Sequence, residues 1–122
     1  MHIASPVLAL VAVAVAACSP QAPPLAQQPA GNAKRGQALL AQYQCGSCHT
    51  IPGVQSAGGR AAASLEGFGG RSYIAGRMAM RPDLLAQWVH KPQSLVPQTT
   101  MPDMGVTRVD ASDMAAYLLE LK

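Results

Sequence analysis

The chain has 122 residues, a length that suits one domain. Nine Lys+Arg against six Asp+Glu leave a formal net charge of +3, and no basic cluster is longer than Lys34-Arg35, which excludes a nucleic-acid footprint. Aromatic residues number only one Phe, one Trp and three Tyr, so few large side chains are on hand for a core that a small domain already struggles to build; a bulky prosthetic group would fill it.

The first element is a targeting segment. Val7 to Ala17 is an unbroken apolar run, shorter than the ~20 residues of a membrane helix and of the length of a signal-peptide hydrophobic region. It ends Val15-Ala16-Ala17-Cys18, which resembles a bacterial lipobox, the motif whose cysteine is lipidated and becomes the mature N-terminus. Met1 to Pro6 departs from the pattern in having no Lys or Arg, and an ordinary secretory signal with an incidental cysteine is the alternative. Either way the chain is exported; with the lipid it is a periplasmic, membrane-anchored lipoprotein. Residues 18–31 then form a Pro/Ala/Gln-rich tether with four prolines and no charge. Such a composition cannot bury a core and prefers extended polyproline geometry, reaching roughly 40 Å at ~3.1 Å per residue.

The folded domain is residues 32–122. Asn32 can cap a helix on which Gly36, Leu39, Leu40 and Tyr43 share one face. From Ile51 to Gly70 the chain is rich in Gly, Ala and Ser without a period and reads as loop. Ser72 to Met80 reads as a short helix. Pro82 opens another, carrying Leu84, Leu85, Trp88 and Val89, and Pro92 closes it. The run KPQSLVPQTTMPDMG reads as extended and proline-stiffened. Thr107 starts a last helix, with Asp110 three residues on as a partial capping box and Met114, Tyr117, Leu118 and Leu121 as its buried stripe. No strand signal of any length appears, so the domain is all-α and loop-rich.

The chemistry sits in CGSCH, residues 45–49. A redox dithiol would want a βαβ context, and none is visible. A zinc site would want a second ligand pair, and the folded part offers only His90 besides. Covalent haem c needs this spacing: both cysteines bond the haem vinyl groups as thioethers, and the adjacent His49 gives the iron an imidazole. Export fits the same reading, which is the one adopted. His90 reads as a solvated helix residue and Met78, Met80 and Met114 as core fillers.

At this point residues 32–122 resemble the class I (mitochondrial-type) monohaem cytochromes c. The resemblance implies a small all-α fold whose N- and C-terminal helices cross around the haem, with Gly36 and Tyr117 at the crossing. It puts Met101, in Pro97-Gln98-Thr99-Thr100-Met101-Pro102, in the place of the iron's second axial ligand, with Met104 the rival. Arg71 takes the place of an arginine that pairs with a haem propionate, Thr99 that of a threonine on the same carboxylate system, and Trp88 that of an aromatic near the methionine sulfur. One departure stands out. The family usually has Gly-Pro after the haem motif, the proline carbonyl accepting the imidazole N–H; here the stretch reads Arg60-Ala61-Ala62-Ala63-Ser64-Leu65, and the Ala63 carbonyl could take that part.

The function expected from this is one-electron carriage by His/Met-ligated haem c, to or from redox partner proteins such as a membrane respiratory complex. It calls for no catalysis, no small-molecule substrate and no nucleic acid. Two alternatives stay open: a haem-based ligand sensor with a displaceable sixth position, and an accessory subunit of an oxidase.

Overall fold

The computed structural model describes residues 31–122; the signal segment, Cys18 and the tether up to residue 30 lie outside the described residues. Helix α1 spans Ala33–Gln42 and is capped by Asn32, whose side chain accepts from the Arg35 N–H at 2.9 Å. That bond satisfies one of the amides a helix start leaves over. Gly36, Leu39 and Leu40 are buried along one face. They pack on the last helix, α4, which spans Arg108–Glu120. Thr107 caps α4 by accepting from the Asp110 N–H at 3.1 Å. The reciprocal half of the capping box is missing, because the Asp110 carboxylate faces α1 and accepts from Arg35 and from the Tyr43 hydroxyl. A charge-assisted bond to a guanidinium outweighs one to an amide.

The crossing of α1 and α4 is closest at Gly36. A Cβ placed on Gly36 would stand 2.0 Å from the Asp113 carbonyl oxygen and 2.9 Å from the Met114 nitrogen. Gly36 therefore meets backbone. Tyr117, expected opposite it, lies one turn further along α4 and donates its hydroxyl to the Pro52 carbonyl at 2.8 Å. Met114, Leu118 and Leu121 are buried as the stripe predicts.

One ion cluster locks this crossing. Arg35 forks to Asp110 and Asp113, and Asp113 also accepts from the Asn32 N–H at 2.7 Å. The Tyr43 hydroxyl and then Arg35 hold the Asp110 carboxyl below its usual range; the Asn32 amide and then Arg35 do the same for Asp113. Depressed carboxylate pKa values contribute stability that is present above the unfolded-state value, ~3.9, and is lost as pH falls through the folded-state values. The urea midpoint of the protein should thus be level from pH 7 to about 5 and drop below about pH 4. Arg35→Met should lower the plateau and make the drop shallower. A wild-type-to-variant gap that stays constant down to pH 3 would exclude this origin for the acid loss.

The middle of the chain holds two corrections. Ser72 to Met80 is a hairpin and not a helix. Strand β1, Tyr73–Ile74, pairs antiparallel with β2, Met78–Ala79, with Tyr73 opposite Ala79 and Ile74 opposite Met78. Ala75 and Gly76 turn the chain at φ of 50° and 67°, and the Ile74 carbonyl accepts from the Arg77 N–H at 3.0 Å. Two successive left-handed residues make the tight turn that suits hairpins, and a helix cannot contain them. The hairpin lodges Ile74 in the core, fully buried. The second correction concerns Pro92. It ends α2, Pro82–His90, and also opens a one-turn helix, α3, Pro92–Leu95, where extended chain was expected. A proline that cannot continue one helix is well shaped to start the next.

From Ile51 to Gly70 the chain is loop, apart from a 3-10 turn at Phe68–Gly70 and a single bridge between Thr50 and Gly58. The architecture is the all-α one expected, with one two-stranded ribbon. Among the described residues no helix is long and apolar enough to cross a membrane.

Candidate haem site

Helix α1 stops because Gln44 takes a left-handed conformation, φ 56°, and turns the chain into a 3-10 turn at Cys45–Ser47. The amides of Cys48 and His49 both donate to the Cys45 carbonyl, at 3.3 and 3.1 Å. That one acceptor gathers both cysteines and the histidine into a single turn. Cys45 is half-buried against the core, and burial pushes its thiol pKa up. Cys48 and His49 line a cavity of about 340 Å³.

His49 donates from Nδ1 to the Ala63 carbonyl at 2.7 Å. A carbonyl can only accept, so the proton sits on Nδ1 and the Nε2 lone pair is left for a metal. The alanine-rich stretch supplies the same acceptor that a proline would. Its rigidity comes from lacing: Gly59 N–H to Gly46 O at 2.9 Å, Ala62 N–H to Cys48 O at 2.9 Å and Leu65 N–H to Thr50 O at 2.8 Å. Gly59 is needed for the first of these, since a Cβ there would stand 2.4 Å from the Ser47 carbonyl oxygen. Sequence reasoning passed over Gly59; the Gly58-Gly59 pair was the available signal.

The loop Thr99–Pro102 forms another wall of the same cavity. The Met101 N–H donates to Thr99 Oγ1 at 3.2 Å, and its carbonyl accepts from Gln93 Nε2 at 2.8 Å. Met101 is half-buried and lines the cavity, whereas Met104 is 42% exposed and does not. Trp88 is buried and contributes to the wall from α2. Arg71 is exposed at the cavity, its guanidinium 5.3 Å above the Phe68 ring, with Nη2 donating to the carbonyls of Ser64 at 2.7 Å and Glu66 at 3.2 Å. Of the residues singled out from the sequence, Cys48, His49, Arg71, Trp88, Thr99 and Met101 line this one space, whereas Cys45, in the same turn, packs against the core and is not in the lining.

The remaining walls, among them Leu65, Phe68 and Ile74, went unselected because they come from loops and a two-residue strand that leave no periodic trace. His90 is placed elsewhere. It is half-buried and donates from Nδ1 to the Val106 carbonyl at 2.6 Å. Among the described residues no three His, Cys, Asp or Glu side chains come together as a metal cluster.

The residues fit haem c. The cleft is largely apolar and of ligand-pocket size, with an imidazole and a thioether in its walls, the second thiol of the motif in its lining and one arginine at its side. The family model described as Cytochrome c matches residues 33–122. The chain is also 32% identical over 91 residues to cytochrome c oxidase subunit 2 of Alkalihalophilus pseudofirmus, an alignment covering 74% of this chain and 26% of that protein. The chain thus spans about a quarter of that relative's length. The family match runs from the first residue of α1 to the last of the chain, through every element that walls the cavity, and the chain belongs to the cytochrome c family, which binds haem c covalently.

Proposed function

We propose that the protein is a one-electron carrier in which His49 and Met101 would be the residues that hold the haem iron, exchanging electrons with a membrane respiratory complex. The observation that carries this is the sharing of one cavity by His49 and Met101, from which His90 and Met104 are absent. When bound, the haem supplies a one-electron couple between ferric and ferrous iron. The chain's residues set the terms. The Ala63 carbonyl fixes the His49 tautomer and raises its basicity as a ligand. The Met101 thioether is a soft, neutral donor that favours the reduced state and a higher potential. Gln93 and Thr99 hold the loop that presents it. Arg71 keeps guanidinium donors at the cavity, suited to a propionate.

The name of the relative, cytochrome c oxidase subunit 2, supports a respiratory oxidase as the partner and also favours a second reading, a domain that feeds one oxidase as its fixed subunit. Against the sensor alternative, the deciding measurement is addition of carbon monoxide to the ferrous protein near neutral pH. A carrier with both axial positions filled leaves the spectrum unchanged; ready binding would make the protein a sensor.

The anchor belongs to the same proposal. With Cys18 lipidated, the uncharged tether lets the domain reach partners near the membrane. One acyl chain binds only marginally, so stable anchoring takes the several chains such lipoproteins carry. Cys18→Ser should move the protein into the soluble periplasmic fraction with an unchanged haem spectrum. An unaltered protein already found in that fraction would end the lipoprotein reading.

A further inference from the structure

The junction of α2 and α3 is tied to the methionine loop at three points. His90 Nδ1 donates to the Val106 carbonyl at 2.6 Å, Lys91 Nζ pairs with the Asp103 carboxylate at 2.7 Å, and Gln93 Nε2 donates to the Met101 carbonyl at 2.8 Å. The order is antiparallel: 90 with 106, 91 with 103, 93 with 101. Three side chains thus form a ladder between two segments that no backbone hydrogen bond joins among the described residues. Asp103 also accepts from the Gly105 N–H at 2.9 Å, and the chain turns there at Gly105, φ 71°.

The rungs are unequal. Lys91 and Asp103 are an exposed pair, which water and salt screen. The His90 rung is half-buried and ends on the carbonyl of Val106, a residue only 3% exposed. A carbonyl left there without its donor bears its desolvation cost with nothing in return. Because a carbonyl can only accept, His90 carries a proton on Nδ1. The ring also lines a hollow of about 160 Å³ beside Asp83, Gln87 and Arg108, which shares no residue with the haem cavity. His90 therefore acts on the loop and not on the iron.

We propose that His90 is a positioning residue for Met101: by holding the Val106 carbonyl it fixes the downstream end of the methionine loop and keeps Met101 in the cavity wall. The inference rests on the His49/Met101 reading above and adds a residue to it. Only residues 102–105 lie between the Met101 carbonyl held by Gln93 and the Val106 carbonyl held by His90, and Lys91 pins them in the middle at Asp103. With all three rungs made the loop has little slack, and Met101 leaves the wall only when rungs open together. Losing the His90 rung frees one end. Open forms of the loop then rise in population, while the crossing of α1 and α4 stays as it is.

The test uses the ferric holoprotein, with imidazole as a competing ligand and the red methionine–iron band as the signal of Met101. His90→Leu removes the donor and should raise the apparent imidazole affinity about tenfold. His90→Asn, whose side-chain amide can set an N–H donor where Nδ1 stood, should recover most of the wild-type affinity. Hydrogen exchange in His90→Leu should quicken in peptides covering residues 97–106 and not in α1. Gly36→Ala, which acts on the crossing of α1 and α4, should lower the urea midpoint and leave the imidazole affinity within about twofold of wild type. Should His90→Leu yield no holoprotein, His90→Ala, which also lacks the donor, carries the same expectations. The proposal is overturned if the donor-less variant lowers the urea midpoint without changing the affinity, or if Gly36→Ala changes the affinity as much. A wild-type ferric protein with no red band would instead overturn the His49/Met101 reading.

Discussion

Replacing Met101 with alanine should open the iron to carbon monoxide, abolish the weak red charge-transfer band of a methionine–iron bond, and lower the reduction potential. Met104→Ala should leave all three largely intact. The two methionines lie three residues apart in the sequence, but only Met101 lines the cavity, while Met104 is 42% exposed. Axial ligands set haem potentials over a range of ~0.8 V, so losing a thioether should cost on the order of 0.1–0.3 V. The loop should survive the substitution, because the bonds that hold it use the Met101 backbone: its N–H to Thr99 and its carbonyl to Gln93. The loss is then one of ligation and not of folding. Absorption spectra in both oxidation states, a redox titration and carbon monoxide addition read the outcome. Should Met104→Ala produce the losses, the ligand has been misassigned and the mechanism stands.

Gly36→Ala should destabilise the protein by about 1–3 kcal/mol, although alanine is the better helix former by about 1 kcal/mol. The added methyl carbon would stand 2.0 Å from the Asp113 carbonyl oxygen, and its neighbours are the backbone of α4, which cannot rotate away as a side chain can. The helices would have to separate, loosening Leu39 and Leu40 and straining the Arg35 bridges to Asp110 and Asp113. Gly70→Ala is the control, since a Cβ there meets nothing within 4 Å and its φ is not positive. That variant should be neutral or slightly stabilised. Denaturant midpoints of the two holoproteins give the comparison; equal midpoints would mean that α1 and α4 do not approach as closely as described.

Local patterns determined a good deal of this protein. Caps at Asn32 and Thr107, the proline opening α2 and the apolar stripe of α4 were legible because each depends on residues within one or two helical turns. The haem motif was legible for the same reason, being five consecutive residues. The hairpin at Tyr73–Ala79 was not. Its two-residue strands are too short for a period, and Ala75 in left-handed backbone contradicts its own preference, so the surrounding packing decided it. The resemblance offered Met101 ahead of Met104 and the Ala63 carbonyl as the acceptor for His49, and the tertiary structure brings Met101, Ala63 and His49 to one cavity; it alone showed how closely Gly36 meets the backbone of α4. These are contacts between segments 14 or more residues apart, whose energies depend on distances no sequence neighbour records. The sequence by itself determined which chemistry the chain could carry; how the loops were laced onto the motif decided which side chains carry it.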